Sequence, residues 1–262
     1  MGEGTVRLLT VGMTHKEVSS MTQTVVQHPP VRVDAKVLEE AFAPFKIYGD
    51  EITVQPAEPD GWTVAAMDGS KISLLSVTVP GTSFAENPEW PVFTVKLDDI
   101  LPALRHRGTL TLTLSDGSLT VSSEDGGERE MPLLGDADPT PFPPLTPCTS
   151  VTLPADTLRG FVTEAAAAKM AVVRLTLEDD RFTMAAREDR RRIALTPADV
   201  PSVGEAVARY PIANLQELMR AVKTPSVTLE WDTDYPLIVT FGEGYTGRYM
   251  LAPWIAEDDT DW

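Results

Sequence analysis

The side chains that most often carry enzyme chemistry are few in this sequence, and their spacing does not suit it. The histidines His15, His28 and His106 show no zinc-binding spacing such as H-E-x-x-H. Cys148 is the single cysteine, and no histidine lies near it in the sequence to activate its thiol. The sequence also lacks a glycine-rich loop of the phosphate-cradling type. We therefore expect no enzyme activity, no catalytic or metal-binding residues and no cofactor.

Charged side chains offer chemistry of a different kind. Arg190, Arg191 and Arg192 are consecutive, which is typical either of a solvated basic loop or of a surface that pairs with acidic residues. Near the end of the sequence, the acidic segment 257–259 lacks the glycine and the ligand spacing of a calcium-binding loop. We interpret that segment as a solvated acidic stretch.

The chain as a whole is acidic, with a formal net charge of −17 over 262 residues. A net charge of this sign repels nucleic acids and acidic membranes, and it also keeps a soluble protein dispersed. A role on DNA would therefore need positive side chains gathered on one surface.

Composition narrows the class of protein further. Hydrophobic residues make up 42% of the chain, which can fill a sizeable core. No stretch approaches the ~20 apolar residues of a transmembrane helix, and the start does not read as a signal peptide. One cysteine excludes internal disulfides and favours a reducing compartment. We predict an intracellular protein, cytoplasmic in a prokaryote or nuclear, with no membrane partner.

The elements that must position these side chains are mostly short strands. Strict alternation over Thr109–Leu114, followed by the turn Asp116-Gly117 and by Ser118–Ser123, predicts a β-hairpin. Two more hairpins follow the same pattern: Val172–Leu177 with Phe182–Ala186, and Ser226–Trp231 with Leu237–Phe241.

Four segments have apolar residues at helical spacing and predict short helices: Asp34–Phe45, Leu97–Arg105, Pro154–Lys169 and Ile212–Val222. Asp34 suits the N-cap of the first, and Pro44 should end that helix early. Pro102 lies inside the second and weakens its helical pattern.

A proline-rich segment divides the chain into two halves that repeat each other. Residues 132–147 contain six prolines, which block helices and central strands and favour an extended connector. The order of helices, turns and strands before it recurs after it at an offset of roughly 120 residues, which indicates two copies of one domain. The predicted parts are a leader or extra strand (1–22), an N-terminal domain (23–131), the connector (132–147), a C-terminal domain (148–257) and an acidic tail (258–262).

Three motifs give the sequence a family resemblance. Ala66–Leu74 reads A-M-D-G-S-K-I-S-L, Val95–Leu101 reads V-K-L-D-D-I-L, and Pro236-Leu237 is followed by Y-M-L-A-P-W-I at Tyr249–Ile255. In these motifs, and over about residues 24–257, the chain resembles DNA sliding clamps of the proliferating cell nuclear antigen (PCNA) family, of archaeal or viral type. Three features depart from the family pattern: Trp254 stands where a basic residue is usual, the leader has no counterpart, and the four helices carry less positive charge than expected.

The resemblance implies an α+β fold with two similar clamp domains, outer antiparallel sheets and inner helices, and three subunits closing a ring. The implied function is that of a DNA polymerase processivity factor, a homotrimer that encircles double-stranded DNA without sequence preference. Polymerase, clamp loader, nuclease or ligase would bind it through short peptide motifs. A different class stays open: an acidic interaction module that does not encircle DNA, or a subunit of a heteromeric checkpoint-type or decoy clamp.

The resemblance also places candidate site residues. Positive side chains on or just after the helices would face DNA: Lys36, Arg105, Arg107, Arg159, Arg220 and Lys223. The subunit interface would join the edge 127–134 to the edge 190–195, where opposite charges favour pairing. Its charged residues are Glu128 and Glu130 on one side and Arg190, Arg191 and Arg192 on the other.

The partner-peptide pocket would lie beneath the connector. Its residues, by match to the family, are Met67, Ile72, Leu74, Phe142, Leu145, Pro236, Met250, Ala252 and Pro253. Phe142 is the most informative of these, because a proline-rich connector has little core of its own in which to bury an aromatic ring. We expect Phe142 to turn inward over a groove.

Overall fold

The computed structural model describes residues 28–86, 89–135, 140–188 and 190–255, and the two halves of this α+β chain have the same order of elements. The first half comprises β1 (Val31–Asp34), α1 (Ala35–Phe42), β2 (Glu51–Pro56), β3 (Gly61–Met67), β4 (Ser73–Pro80), β5 (Phe93–Lys96), α2 (Leu97–Leu104), β6 (Thr109–Ser115), β7 (Ser118–Ser123) and β8 (Glu128–Pro132). The second half comprises β9 (Thr149–Pro154), α3 (Ala155–Ala167), β10 (Val172–Glu178), β11 (Arg181–Glu188), β12 (Arg191–Leu195), β13 (Ser202–Val203), β14 (Ala206–Pro211), α4 (Ile212–Ala221), β15 (Ser226–Trp231), β16 (Leu237–Phe241) and β17 (Thr246–Leu251). Among these strands and α-helices, β13 is the one element of the second half without a counterpart in the first.

Three antiparallel sheets are formed by the described residues, and one of them spans both halves. The first half has the sheet β1-β6-β7-β8, and the second half has β12-β11-β10-β14. The third, nine-stranded sheet runs β13-β9-β15-β16-β17-β4-β3-β2-β5, and the halves meet where β17 pairs with β4. The two domains are therefore joined by a continuous ladder as well as by the connector.

The core follows from the alternation read in the sequence. On β6, Leu110, Leu112 and Leu114 are buried while the intervening threonines are half-buried, and the three predicted hairpins are all present. At the junction, Val77 of β4 and Tyr249 of β17 point into the hydrophobic core on the side of the helices.

The helices pack in pairs. Helix α1 packs on α2, and α3 packs on α4. Helix α4 also contacts a short 3-10 helix, Ala43–Ile47, so that the two pairs form one layer. None of the helices in the described part of the chain is long and apolar enough to cross a membrane.

The helix boundaries differ slightly from the sequence-based ones, and the differences have local causes. Asp34 caps α1 by accepting a hydrogen bond from the Lys36 N–H at 2.8 Å. The helix ends at Phe42, and the chain continues as the 3-10 helix because Pro44 cannot donate an α-helical hydrogen bond. Pro102 is accommodated inside α2, which ends two residues later. The predicted leader (1–22) and acidic tail (258–262) lie outside the described residues.

Candidate nucleic-acid face and partner-binding face

The layer of four helices carries most of the positive charge proposed for DNA. We call it the helix face, defined by α1, α2, the 3-10 helix, α3 and α4. Five of the six predicted cations are exposed on it or beside it: Lys36 on α1, Arg220 on α4, and Arg105, Arg107 and Lys223 in the turns that follow α2 and α4. The structure thus brings residues from both halves onto one layer.

Acidic neighbours weaken the positive potential of the helix face. Lys36 Nζ lies 3.8 Å from a carboxylate oxygen of Glu40, and Arg105 Nε lies 3.8 Å from one of Glu39. Both cations are largely exposed, so each pair contributes at most about 1 kcal/mol to stability. A layer of this kind can make weak, salt-sensitive contacts with phosphates, and such contacts carry no sequence information.

The sixth cation, Arg159, is held by helix packing. Its Nε donates to the Met219 carbonyl at 2.9 Å and its Nη2 to the Val222 carbonyl at 3.2 Å, and Nη1 pairs with Asp156. The side chain is 33% exposed. Arg159 therefore satisfies carbonyls at the end of α4 from its position on α3, a role that its position in the sequence did not reveal.

One cation on the helix face lies just outside the predicted first helix. Lys46 of the 3-10 helix and Arg220 of α4 line an open groove of about 510 Å³ between the two halves. Its other lining residues are Ala43, Ile47, Glu217 and Ala221. The Lys46 Nζ is 4.0 Å from an Asp98 carboxylate oxygen, and both side chains are largely exposed. Lys46 immediately follows the predicted Asp34–Phe45 helix. Its position just after a helix could have placed it among the predicted DNA-facing cations.

The two predicted interface edges are the outer strands of different sheets. Within the described residues, β8 pairs with β7 alone and β12 pairs with β11 alone. Glu128, Glu130 and the three arginines 190–192 are all exposed. Two of these side chains also have contacts within the chain: Glu128 accepts from the Ser122 hydroxyl at 3.3 Å, and Arg191 donates to the Ala168 carbonyl at 3.0 Å.

The candidate partner-binding site lies on the other side of the nine-stranded sheet, which we call the outer face. Residues of β3, β4, β16 and β17 that alternate with core residues point here. Hydroxyl residues pair across strands of this sheet, such as Thr63 of β3 with Thr78 of β4 at 3.1 Å and Thr152 of β9 with Thr228 of β15 at 2.9 Å. The outer face is therefore largely polar, and its apolar residues are concentrated near the β17–β4 junction.

The connector crosses this face at Phe142. The ring is half-buried, and the Arg248 guanidinium carbon lies 4.4 Å from its centroid. The contact that the structure shows for the Phe142 ring is with a cation on β17. That the ring turns inward over a groove stays a prediction. Leu145 is also half-buried, and its N–H donates to the Pro143 carbonyl at 2.9 Å.

The other predicted pocket residues fall into two groups. Met67 and Ile72 are 39% and 37% exposed, while Pro236, Met250, Ala252 and Pro253 are half-buried. Leu74 is 0% exposed, so in this structure it can only form the floor of a pocket. Strand pairing brings part of the set together, because Leu74 lies opposite both Met67 and Met250.

The turn that presents Ile72 is tightly organised. Asp68 accepts hydrogen bonds from the Ile72 and Ser73 N–H groups, both at 2.8 Å, and the Ile72 carbonyl accepts from the Ala252 N–H at 2.8 Å. The turn is thus fixed to the segment after β17, on which Ala252 and Pro253 lie.

A buried hydroxyl network that sequence reasoning missed lies behind this turn. The Tyr48 hydroxyl donates to Ser73 Oγ at 2.9 Å, and the Tyr249 hydroxyl lies near Ser73, Tyr48 and Asn214. Burial raises the pKa of Tyr249 to about 12, and burial likewise raises the pKa of Tyr48 well above its ordinary value. The network connects both halves. No sequence motif predicts it, because its members are far apart in sequence.

The described residues contain no group of three or more His, Cys, Asp and Glu side chains that could hold a metal ion. Cys148 is exposed, at the end of the connector. Its N–H donates to an Asp232 carboxylate oxygen at 3.0 Å, which fixes the start of the second half.

Comparison with known proteins agrees with this architecture, although no family model matches the sequence. The chain is 26% identical over 218 residues to a protein named DNA polymerase sliding clamp from Thermofilum pendens, covering 75% of this chain and 87% of the relative. It is 26% identical over 250 residues to a protein of the same name from Methanothrix thermoacetophila, covering 86% and 98%.

Solved structures share the fold at lower sequence identity. The structure of proliferating cellular nuclear antigen from Entamoeba histolytica superposes with a TM-score of 0.75 at 17% identity, covering 86% of this chain and 98% of that one. The structure of A. fulgidus PCNA with the C-terminal region of FEN-1 bound also gives 0.75, at 19% identity, covering 87% and 99%.

Proposed function

We propose that this chain, which belongs to the PCNA family of DNA sliding clamps, is a DNA polymerase processivity factor that encircles duplex DNA. The observation that carries the proposal is the arrangement of the repeat. Each half places two helices in one layer and has a strand, β8 or β12, that lies at the edge of a four-stranded sheet and pairs on one side only within the described residues. A chain with a free edge in each half can join copies of itself head to tail and close a ring.

The edges support a homotrimer through their charges. Unpaired strand edges expose backbone donors and acceptors that readily pair with another chain. Glu128 and Glu130 on β8 would lie opposite Arg190, Arg191 and Arg192 of the next subunit, and such opposite charges favour pairing and register. A mixed ring, in which another chain supplies one of the edges, is the alternative form of the same assembly.

The acidic net charge is compatible with this role because a closed ring stays on DNA by topology. Tight binding is unnecessary, and scattered cations on the helix face are enough for weak contacts with phosphates. The proposed DNA-facing residues are Lys36, Arg105, Arg107, Arg220 and Lys223, together with Lys46; Arg159 contributes to the layer mainly through its packing. The chain acts as a binding scaffold and does no chemistry itself.

Partner enzymes would be tethered on the outer face. The A. fulgidus PCNA structure has the C-terminal region of FEN-1 bound, which supports a peptide-binding role for this chain. We place the peptide against Met67, Ile72, Phe142, Leu145 and the segment around Pro253, with polymerase, loader, nuclease or ligase as the source of the peptide. Such a protein would work in the cytoplasm of a prokaryote or in a nucleus.

Mass in solution and retention on DNA together test the proposal. Light scattering should give about three times the 28.5 kDa chain mass at micromolar concentration. After loading, the ring should stay on closed circular DNA and leave once the circle is cut, since linear DNA lets it slide off. A monomer under these conditions, or equal retention on circular and linear DNA, would rule out the encircling clamp and favour a non-encircling interaction module.

A further inference from the structure

The described residues of the connector have few backbone attachments to the rest of the molecule. The Leu134 N–H donates to the Thr94 carbonyl at 2.9 Å, and among the described residues that follow, the next backbone N–H to bond the body is that of Cys148. Within the described part 140–147, the backbone hydrogen bond from the Leu145 N–H to the Pro143 carbonyl is local to the segment. Four of those eight residues are prolines without an N–H, so the segment has little means of joining a sheet.

Side-chain contacts must therefore decide where the connector lies, and the contact at its centre is a cation over a ring. Phe142 precedes Pro143, which restricts its backbone to extended conformations. Its ring meets the Arg248 guanidinium at 4.4 Å.

Arg248 is well placed to hold this ring. It lies on β17, where its neighbours Gly247 and Tyr249 face the core, so its side chain rises from the outer face between Ser76 of β4 and Thr240 of β16. Among the described residues, no carboxylate lies within ion-pair distance of its guanidinium. The charge is thus available to the ring quadrupole, and a planar, weakly hydrated guanidinium stacks on aromatic faces better than an ammonium does.

We propose that Arg248 is a positioning residue for partner binding: its guanidinium holds Phe142 on the outer face and so fixes the connector where the partner peptide docks. The proposal rests on the proposed partner-binding function. A connector held in place before binding loses less conformational freedom when the peptide arrives, which strengthens binding without a new contact to the peptide. Arg248 acts through Phe142.

Calorimetry with the C-terminal peptide of FEN-1 tests this on the full-length chain. Arg248→Met keeps the length of the side chain but removes its charge, and it should weaken peptide binding by roughly threefold to tenfold, as expected for a partly desolvated cation–π contact. Arg248→Lys should recover part of the loss. Arg181→Met removes an exposed arginine from another sheet and should leave affinity unchanged.

A double-mutant cycle and a spectroscopic signature separate positioning from a merely structural role. Phe142→Leu keeps apolar bulk but lacks the ring, so in that background Arg248→Met should have no further effect on affinity. The Arg248 side-chain NMR resonances should be shifted by the ring current in the wild type and should lose that shift in Phe142→Leu.

Equal affinity of wild type and Arg248→Met, an equal loss in both backgrounds, or an absent ring-current shift would each overturn the proposal. If the wild type binds the peptide and Arg248→Met binds it equally well, only the role of Arg248 fails. If the wild type does not bind the peptide at all, the partner-binding function fails, and the role of Arg248 fails with it.

Discussion

At the scale of single residues, Arg159 shows how packing can redirect a charged side chain. Its position on a helix predicts a phosphate contact as well as it predicts a structural one. The structure directs its guanidinium at the carbonyls of Met219 and Val222, which lie at the end of α4 and lack helical partners. A cation at a helix C-terminus also interacts favourably with the helix dipole.

Replacing Arg159 by methionine should therefore lower stability. We expect the free energy of unfolding to fall by about 1–2 kcal/mol, because two carbonyls lose a charged donor, with the cost reduced by the partial exposure of the side chain. The matched control is Arg220→Met on the exposed side of α4, which should stay within about 0.5 kcal/mol of wild type. Urea denaturation measures the free energy of unfolding of both variants. Equal stability of the two would show that Arg159 has no packing role.

At the scale of elements, the junction of β17 and β4 is where structure and proposed function meet. On its core side, Tyr48, Ser73, Tyr249 and Asn214 form the hydroxyl network; on its outer side lie the residues proposed to receive a peptide. Ser73 directly follows Ile72 of the proposed pocket, and Asp68 holds both of their N–H groups. The network therefore stabilises the turn that presents Ile72.

The network should make stability depend on alkaline pH. Tyr249 has a folded-state pKa of about 12 against an ordinary value of 10.0, raised mainly by burial, so its stabilising contribution is complete below about pH 10. Above that pH the unfolded tyrosine ionises first, and the contribution is lost as pH rises towards 12. Tyr249→Phe should cost about 1 kcal/mol at neutral pH and should show a shallower decline between pH 10 and 12. Parallel pH slopes for the two proteins in denaturant titrations would contradict this.

How much of these elements could be predicted depended on the range of the interactions. Alternation and turn glycines are local, so hairpins such as Thr109–Ser123 were predicted nearly to the residue. The pairing of β17 with β4 joins residues about 170 positions apart, and no local pattern encodes it. Burial on both faces of β4 was not predicted, for the same reason. Leu74 matches a pocket position of the family motif, but its exposure depends on chain segments that pack over it.

At the scale of the whole molecule, the net charge of −17 and the proposed grip on DNA must be reconciled. The positive side chains of the helix face come from both halves, and several have acidic neighbours within 4 Å. The ring would therefore hold DNA by closure and would touch phosphates only transiently. Such contacts are the part of the interaction that salt should weaken.

Changing Arg105, Arg107, Arg220 and Lys223 together to alanine tests the helix face. The variant should slide off or load less well on circular DNA at low salt, with no change in sequence preference, because phosphate contacts carry no base information. The slope of log affinity against log salt should decrease by at most about four, near one for each contact removed. Alanine at Arg181 is the control for lost charge. Unchanged retention with an unchanged salt slope would show that these residues do not face the DNA.

The assembly itself is best tested at the two free edges. Reversing Arg190, Arg191 and Arg192 to glutamate places like charges opposite Glu128 and Glu130, and like charges directly across a ladder destabilise it. The triple variant should therefore dissociate, and its mass in solution at micromolar concentration should fall below that of the ring. The reversal also removes the hydrogen bond from Arg191 to the Ala168 carbonyl, so a loss of mass alone could reflect local damage.

A compensating change resolves that ambiguity. Adding Glu128→Arg and Glu130→Arg to the triple variant restores opposite charges across the proposed interface without repairing the contact of Arg191. If β8 of one subunit meets β12 of the next, light scattering should show the ring mass again in the variant with all five substitutions. The variant with only Glu128→Arg and Glu130→Arg should dissociate. A triple variant that keeps the full mass would place the interface elsewhere. If the variant with all five substitutions stays dissociated, these charges do not face each other.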